Sequence, residues 1–265
     1  MLIVSTTTRQ ASRTHPPGRG PAIAERTEML QLENSGPAQT PAKSRPLVPK
    51  IDNANWPIWL AGIVGYSYVI AVPLEPYPGH PIIKAIPLLV LSVTAWRRLV
   101  PPLRVPFAIA LLASAVGDCL LGIDRSAFLK PALFSFLVTQ MLYAWLFWRE
   151  RDDPPSGRGL MVVELIALFG LYLLIIPAVP EGMIIPVIVY STALLAMATG
   201  AARSSIGRLL PLGGALFFVA DNLIAVNQFV WPFPHSTRII VTLYMTAQLM
   251  ISWSVFAWAR QNQTQ

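Results

Sequence analysis

The chain has 265 residues, of which 54% are hydrophobic and only 12% are charged. Because soluble domains carry about 25% charged residues, this composition excludes an ordinary soluble protein and indicates an integral membrane protein. The net charge of +7 is therefore interpreted as the basic bias of cytoplasmic loops, and no nucleic-acid partner is expected. The single cysteine, Cys119, excludes an intramolecular disulfide and gives no cluster of metal ligands.

The first 55 residues differ in composition from the rest of the chain. They are rich in Pro, Ser, Thr, Gly and Arg and lack hydrophobic periodicity, which predicts a disordered, basic N-terminal tail over residues 1–55. The start of the chain has too few apolar residues for a signal peptide. We interpret the basic residues of the tail as solvated, with contact to anionic lipid headgroups as the alternative. These residues are Arg9, Arg13, Arg19, Arg26, Lys43, Arg45 and Lys50.

Eight apolar segments follow this tail, each near or above the roughly 17 residues that a membrane-spanning helix needs. They cover residues 56–72, 81–96, 105–121, 128–148, 160–176, 183–202, 209–230 and 239–259. The predicted fold class is therefore all-α, a polytopic membrane bundle of about eight helices within residues 56–260. The second segment has the weakest pattern, because Lys84 and Pro87 interrupt it.

Loop charges predict the orientation of the chain in the membrane. Basic residues concentrate before the first segment, in the even-numbered connections and after the last segment, whereas the other connections contain only Arg125, Lys130 and Arg238. Because positively charged loops stay in the cytoplasm, both termini are predicted to be cytoplasmic. We expect a multi-pass protein of the plasma membrane.

Two aspartates lie inside apolar segments, Asp118 in the third and Asp221 in the seventh. A carboxylate in the hydrocarbon core costs at least ~2.5–3.5 kcal/mol and marks a candidate functional site. Asp118 lies 14 residues beyond Arg104. Asp221 lies 13 residues beyond Arg208. At 1.5 Å per residue, both carboxylates are predicted roughly 20 Å from those arginines, at one level in the outer half of the bilayer.

Further polar residues are predicted at a similar depth, and we interpret them as candidate substrate-binding groups around the two aspartates. They are Lys84, Gln140, Tyr190, Asn222, Tyr244 and Gln248. Each has a structural alternative, since an isolated Tyr or Gln commonly joins two helices by a hydrogen bond and Lys84 can snorkel to the headgroups. Glu164 lies near the cytoplasmic end of its segment, so we expect it to reach water and assign it no catalytic role.

Two carboxylates in a poorly solvated pocket suit acid–base chemistry. Burial and mutual repulsion favour one protonated acid beside one ionised base. Such a pair can cleave an acetal or an enol ether through an oxocarbenium-like state, as paired carboxylates do in glycosidases. The sequence contains no Gly-x-Ser-x-Gly elbow, His-Glu-x-x-His helix or nucleotide-binding loop. His15, His80 and His235 all lie outside the segment interiors, so neither a metal nor a cofactor is expected.

Several motifs, in order and spacing, resemble the YhhN-type lysoplasmalogenases, a family of eight-span membrane proteins. The strongest is GGALFFVADNLIAVNQF (213–229), and the others are Lys84-x-x-Pro87, Gly117-Asp118-x-x-Leu121, FLKPALFSFLVTQMLYAWLF (128–147), VIVYSTALLAMA (187–198) and LYMTAQLMI (243–251). The resemblance implies hydrolysis of the vinyl ether of a lysoplasmalogen to a fatty aldehyde and a glycerophospho-headgroup. It also places Asp118 and Asp221 on the intramembrane aspartates of that family. Gln140 and Ala220 depart from it, standing where many members carry His and Ser.

The expected partners are a lysophospholipid substrate and the lipid bilayer. Two other functions stay open at this point. Carboxylates near the membrane centre also serve proton relays, and proline-broken spans suit carriers, so a small-solute or proton-coupled carrier is the second hypothesis. A lipid-binding membrane protein without catalysis is the third.

Overall fold

The computed structural model describes residues 55–151 and 157–263, and these residues form an all-helical bundle without a β-strand. The predicted disordered tail lies outside the described residues, apart from Asn55. The helices are α1 (Trp56–Ala71), α2 (His80–Arg98), α3 (Pro101–Ile123), α4 (Arg125–Arg149), α5 (Arg158–Ile175), α6 (Glu181–Arg203), α7 (Leu210–Phe229) and α8 (Ser236–Gln263). Short 3₁₀ helices, Val72–Leu74 and Ile176–Ala178, continue α1 and α5. The prediction of eight helices is confirmed.

Seven of the eight helices in the described residues are long and apolar enough to cross a membrane. The exception is α2, in which Lys84, Arg97 and Arg98 lower the hydropathy, although it packs against α1 and α3 within the bundle. The outer face of α5 exposes a row of large apolar side chains, as a surface in contact with lipid requires. They are Val162, Val163, Leu165, Ile166 and Phe169. The chain is a multi-pass integral membrane protein.

Local sequence signals set the helix ends. Prolines occupy the first turn of α1, α2, α3 and α7, where the missing N–H has no intrahelical partner to lose. Asp124 caps α4 by accepting hydrogen bonds from the backbone N–H groups of Ser126 and Ala127. The Ser126 hydroxyl and these N–H groups lower the pKa of the exposed Asp124 carboxyl. Several helices are longer than the apolar segments predicted from the sequence. For example, α3 begins at Pro101, whereas the corresponding segment begins at residue 105.

Short connections join successive helices, so neighbours run antiparallel. The α4–α5 and α6–α7 connections meet at one end of the bundle, where the backbone N–H of Ser205 donates to the carbonyl of Glu150. Toward this end the core contains an aromatic layer in which the Tyr143 ring lies between Phe107 and Phe147, with ring centroids 5.6 and 5.5 Å away. All three side chains are fully buried.

The glycine before the first aspartate allows α3 and α4 to approach closely. A Cβ atom built on Gly117 would lie 2.8 Å from the ring of Phe136, so any larger side chain would displace this ring. Phe136 lines the cavity described below. Gly117 therefore allows α3 and α4 to pack closely, and the next residue, Asp118, places a carboxylate in the cavity wall.

The expectation for Glu164 is wrong. Its side chain is 3% exposed, and neither carboxylate oxygen has a hydrogen-bond partner in the described part of the chain. Glu164 shares one face of α5 with Leu168 and Ile175, which are also buried, because residues spaced four and eleven apart lie on one side of a helix. This face turns toward α6 and α7 and away from water.

Candidate active site

A cavity of about 510 Å³ lies inside the bundle and contains both aspartates in its wall. Its deeper wall comes from α2, α3, α4, α7 and α8, and includes Lys84, Phe136 and Tyr244. Its outer wall includes Pro76, Arg125 and Thr237, which lie at or beside the α1–α2, α3–α4 and α7–α8 connections. The cavity therefore reaches the end of the bundle opposite the α4–α5 and α6–α7 connections.

Asp118 on α3 forms an ion pair with Lys84 on α2. The Lys84 Nζ lies 2.7 Å from the Asp118 Oδ1, and the two side chains are 11% and 3% exposed. The second carboxylate oxygen, Oδ2, is buried without a hydrogen-bond partner among the described residues. The sequence predicted both groups at this depth but did not predict that they would pair.

Asp221 on α7 has a different environment. Its Oδ2 accepts a hydrogen bond of 3.1 Å from the Gln140 Nε2 on α4 and a short hydrogen bond from the Tyr190 hydroxyl on α6. Both donors are electrically neutral, and no described Lys or Arg forms an ion pair with this carboxyl. The two aspartates thus line one cavity in different surroundings: Asp118 lies beside a cation, whereas Asp221 has neutral hydrogen-bond donors.

Two further predicted site residues, Tyr244 and Gln248, lie about one turn apart on α8. Tyr244 lines the cavity, and its hydroxyl accepts a hydrogen bond of 3.4 Å from the Gln248 Nε2. Gln248 is fully buried and also contacts the hydroxyls of Tyr143 and Ser114, at 2.9 and 3.1 Å. Gln248 therefore holds Tyr244 in place and does not line the cavity.

Asn222 points away from the paired carboxylates. Its Nδ2 donates to the carbonyl of Phe218 one turn back on α7, at 2.7 Å. It lines a second, narrow groove that adjoins the cavity.

Several polar residues of the cavity wall were not predicted from the sequence, among them these four: Tyr68, Glu75, His80 and Arg125. The Tyr68 hydroxyl donates a short hydrogen bond to the Glu75 Oε1, and the His80 Nδ1 lies 3.6 Å from the same oxygen. Three of the four lie at helix ends or in a connection, where hydropathy assigns a solvated loop. The one available signal was their position at the same end of the bundle as the aspartates.

The fold and the site define a multi-pass helical membrane protein with two buried carboxylates in the wall of one cavity. The YhhN family profile matches residues 79–255, and the chain belongs to the YhhN family. The resemblance proposed from the motifs is thereby confirmed.

Named relatives agree with this assignment. Lysoplasmalogenase TMEM86B of Sus scrofa is 35% identical over 147 residues, which are 55% of this chain and 61% of the relative. The human TMEM86B is 34% identical over 146 residues, again 55% of this chain and 61% of the relative. These matches span only about three fifths of the relatives' length. A lysoplasmalogenase of Mycobacterium tuberculosis (strain CDC 1551 / Oshkosh) is 30% identical over 230 residues, which are 80% of this chain and 87% of the relative. No solved structure matches the chain.

Proposed function

We propose that the protein is a membrane lysoplasmalogenase that hydrolyses the vinyl ether bond of a lysoplasmalogen. The observation that carries this proposal is the pair of buried carboxylates, Asp118 and Asp221, facing one cavity of about 510 Å³. The cavity is large enough for a small polar headgroup, since ligand pockets measure ~300–1,000 Å³. Relatives named lysoplasmalogenase, one of them matched over 87% of its length, support the same activity.

The environments of the two aspartates favour different protonation states. A buried charge needs a counter-charge, and Lys84 supplies one to Asp118, which is therefore the ionised carboxylate. Asp221 has only neutral donors, so it carries a proton in the resting enzyme. Because both donors reach its Oδ2, the proton belongs on Oδ1.

Hydrolysis then follows in balanced steps. Asp221 transfers its proton to the carbon of the vinyl group remote from the ether oxygen, which leaves an oxocarbenium ion that Asp118 stabilises. Water adds to this ion and gives a proton to Asp118, forming a hemiacetal. The hemiacetal hydroxyl returns a proton to Asp221, and the proton on Asp118 moves to the departing glycerol oxygen. The products are a fatty aldehyde and a glycerophospho-headgroup, and both aspartates regain their starting states.

The surrounding polar residues act as positioning groups in this scheme. Gln140 and Tyr190 fix the orientation of Asp221. Tyr244, which Gln248 contacts, packs edge-on against Phe136, with the ring centroids 6.2 Å apart, and the two rings form part of the cavity wall. Lys84 belongs to the site as the partner of Asp118. A role for Lys84 in binding the lipid headgroup has less support, because its charge is already neutralised within the protein.

The carrier hypothesis has less structural support. A carrier needs a route from the site to both sides of the membrane, whereas the aromatic layer of Phe107, Tyr143 and Phe147 packs between the site and the opposite end of the bundle. Prolines inside α2, α3, α4 and α6 remain compatible with either function.

The orientation in the membrane is also part of the proposal. The end of the bundle away from the cavity carries most of the basic residues, including Arg97, Arg98, Arg149, Arg203 and Arg208, which supports cytoplasmic termini. The cavity would then open toward the outer face of the plasma membrane. We further propose that residues 56–260 form one transmembrane domain preceded by a solvated basic tail.

Purified protein in lipid nanodiscs tests the activity directly. The substrates are a lysoplasmalogen, its saturated alkyl-ether analogue, an acyl lysophospholipid and a two-chain plasmalogen, and the readout is aldehyde release. We expect aldehyde from the lysoplasmalogen, and release that is about 10²–10⁴-fold slower from the protein carrying Asp221→Asn. Failure of the wild-type protein to release aldehyde from any vinyl ether would overturn the proposed function.

A further inference from the structure

The polar cavity has an apolar branch. A narrow groove between α4, α6 and α7 is lined mainly by aliphatic side chains, among them Leu129, Ala132, Leu133, Val187, Leu194 and Ala225. The groove and the polar cavity share Leu121, Phe136, Asp221 and Ile224 in their walls. The two spaces are therefore adjacent, and the Asp221 carboxyl lies where they meet.

Apart from Gln228, which is exposed, the polar side chains that line the groove form hydrogen bonds within the protein. The Ser191 hydroxyl donates to the carbonyl of Val187, and the Asn222 amide donates to the carbonyl of Phe218, each within its own helix. The Tyr190 hydroxyl is held by Asp221. A wall whose polar groups are bonded internally presents little to a polar ligand and accepts a hydrocarbon.

The open space of the groove is about 50 Å³, roughly a tenth of that of the polar cavity. In a lysoplasmalogen, one hydrocarbon chain, the vinyl ether and the polar headgroup follow one another in that order. The order of spaces in the protein is the same: apolar groove, Asp221, polar cavity.

The wall of the polar cavity also contains a cation. Arg125, at the start of α4, lines the polar cavity and forms no ion pair with any described residue. Lys84 also lines the cavity, but Asp118 neutralises its charge, and His80 lies beside Glu75. Arg125 is thus the cavity-lining cation that is available for a phosphate, which guanidinium groups bind well.

From these observations, and resting on the proposed function, we infer that the protein binds a single-chain ether lipid in one orientation. The hydrocarbon chain occupies the groove between α4, α6 and α7, the vinyl ether lies at Asp221, and the phosphate lies at Arg125.

Photolabelling tests the chain position without requiring turnover. The probe is a saturated alkyl-ether lysophospholipid with a diazirine near the ether end of its chain, bound to the wild-type protein and to the Ala225→Phe variant. We expect labelled peptides from α6 and α7, and loss of that labelling in Ala225→Phe. The matched control, Val219→Phe, alters a residue of the same helix that is 45% exposed on the outer surface and should leave labelling unchanged. Labelling confined to lipid-facing positions such as Val162, or labelling insensitive to Ala225→Phe, would overturn the inference.

Chain-length kinetics give a second readout. Ala225→Phe, and Leu133→Trp from the opposite wall, should lower kcat/KM for a long-chain lysoplasmalogen by about tenfold or more, since filling an apolar pocket discriminates on that scale. A propenyl ether with the same headgroup should be turned over at the wild-type rate. Equal losses of kcat/KM on both substrates would show that the chain does not bind in this groove. The proposed hydrolysis of the vinyl ether would not be contradicted by that result.

The headgroup end is tested with Arg125→Gln. KM for a phosphate-bearing lysoplasmalogen should rise about tenfold, the scale of one charge-assisted hydrogen bond, with little change in kcat. An alkenyl glycerol without phosphate should show no change. Lys130→Gln, one turn further along α4 and exposed, is the control. If Arg125→Gln had an effect of equal size on both substrates, Arg125 would not be the group that binds the phosphate.

Discussion

Lys84 and Asp118 form an ion pair of 2.7 Å that joins α2 to α3 inside the bundle. Removing one partner of a buried pair leaves the other charge uncompensated, which costs about 3–5 kcal/mol. We therefore expect Lys84→Met to lower the unfolding temperature of the purified protein and to lower kcat more than it raises KM. Thermal unfolding and steady-state kinetics measure the two effects.

The double variant Lys84→Met, Asp118→Asn is the matched control. It removes both charges, so its unfolding temperature should recover toward that of the wild-type protein, while activity stays lost. If the Lys84→Met protein had normal stability and a raised KM, the result would show instead that Lys84 binds the lipid headgroup.

Tyr190 offers a test of how Asp221 is positioned. Tyr190→Phe removes the hydroxyl that donates to the Asp221 Oδ2 but leaves the Gln140 hydrogen bond in place. Loss of one such hydrogen bond should lower kcat by about tenfold with a small effect on KM, because the group acts on the acid and not on the substrate. Tyr172→Phe on α5 is the control, since its hydroxyl donates only a long bond of 3.4 Å to the Ile188 carbonyl. Equal effects of the two variants would indicate a general packing role.

Reporter fusions test the orientation of the bundle. A reporter after Gln265 should give a cytoplasmic signal, and one inserted after Pro78, in the α1–α2 connection, should give an external signal. The Pro78 position also tests whether α2 crosses the membrane despite its charged residues. An external signal at Gln265 would reverse the orientation, and with it the side from which the cavity fills.

The helices and the depth of the aspartates could be predicted from the sequence because both depend on local properties. Apolar length fixes each helix, and the rise per residue places Asp118 and Asp221 at one level. The partners of these carboxylates could not be predicted in the same way. Whether Lys84 meets Asp118 or the lipid depends on how α2 is rotated against α3, and hydropathy carries no such information.

Glu164, Arg125 and His80 were misplaced or missed because their surroundings also depend on how the helices assemble. Glu164 was expected in water because it lies near a helix end, but the face of α5 shared with Leu168 turns into the bundle. Arg125 and His80 were assigned to connections and to the orientation of the chain. They line the cavity because three connections meet at its mouth, which is a property of the assembled bundle.

The last prediction concerns the two aspartates as one catalytic unit. Asp118→Asn and Asp221→Asn should each lower kcat by about 10²–10⁴-fold, the usual contribution of acid–base catalysis. The amide retains the size of the side chain but cannot exchange the proton. The double variant should be barely slower than either single variant, because residues that act together are not additive. The wild-type pH–rate profile should be bell-shaped, with limbs that belong to the pair.

Stability separates catalysis from structure in this experiment. Asp221→Asn preserves the acceptor for Gln140 and Tyr190, so its unfolding temperature should stay close to that of the wild-type protein. Asp118→Asn leaves Lys84 without its counter-charge and should unfold earlier, which makes Asp221→Asn the cleaner test of chemistry. If Asp221→Asn were folded and fully active, Asp221 could not be the acid, and a lipid-binding protein without catalysis would become the better description of the cavity.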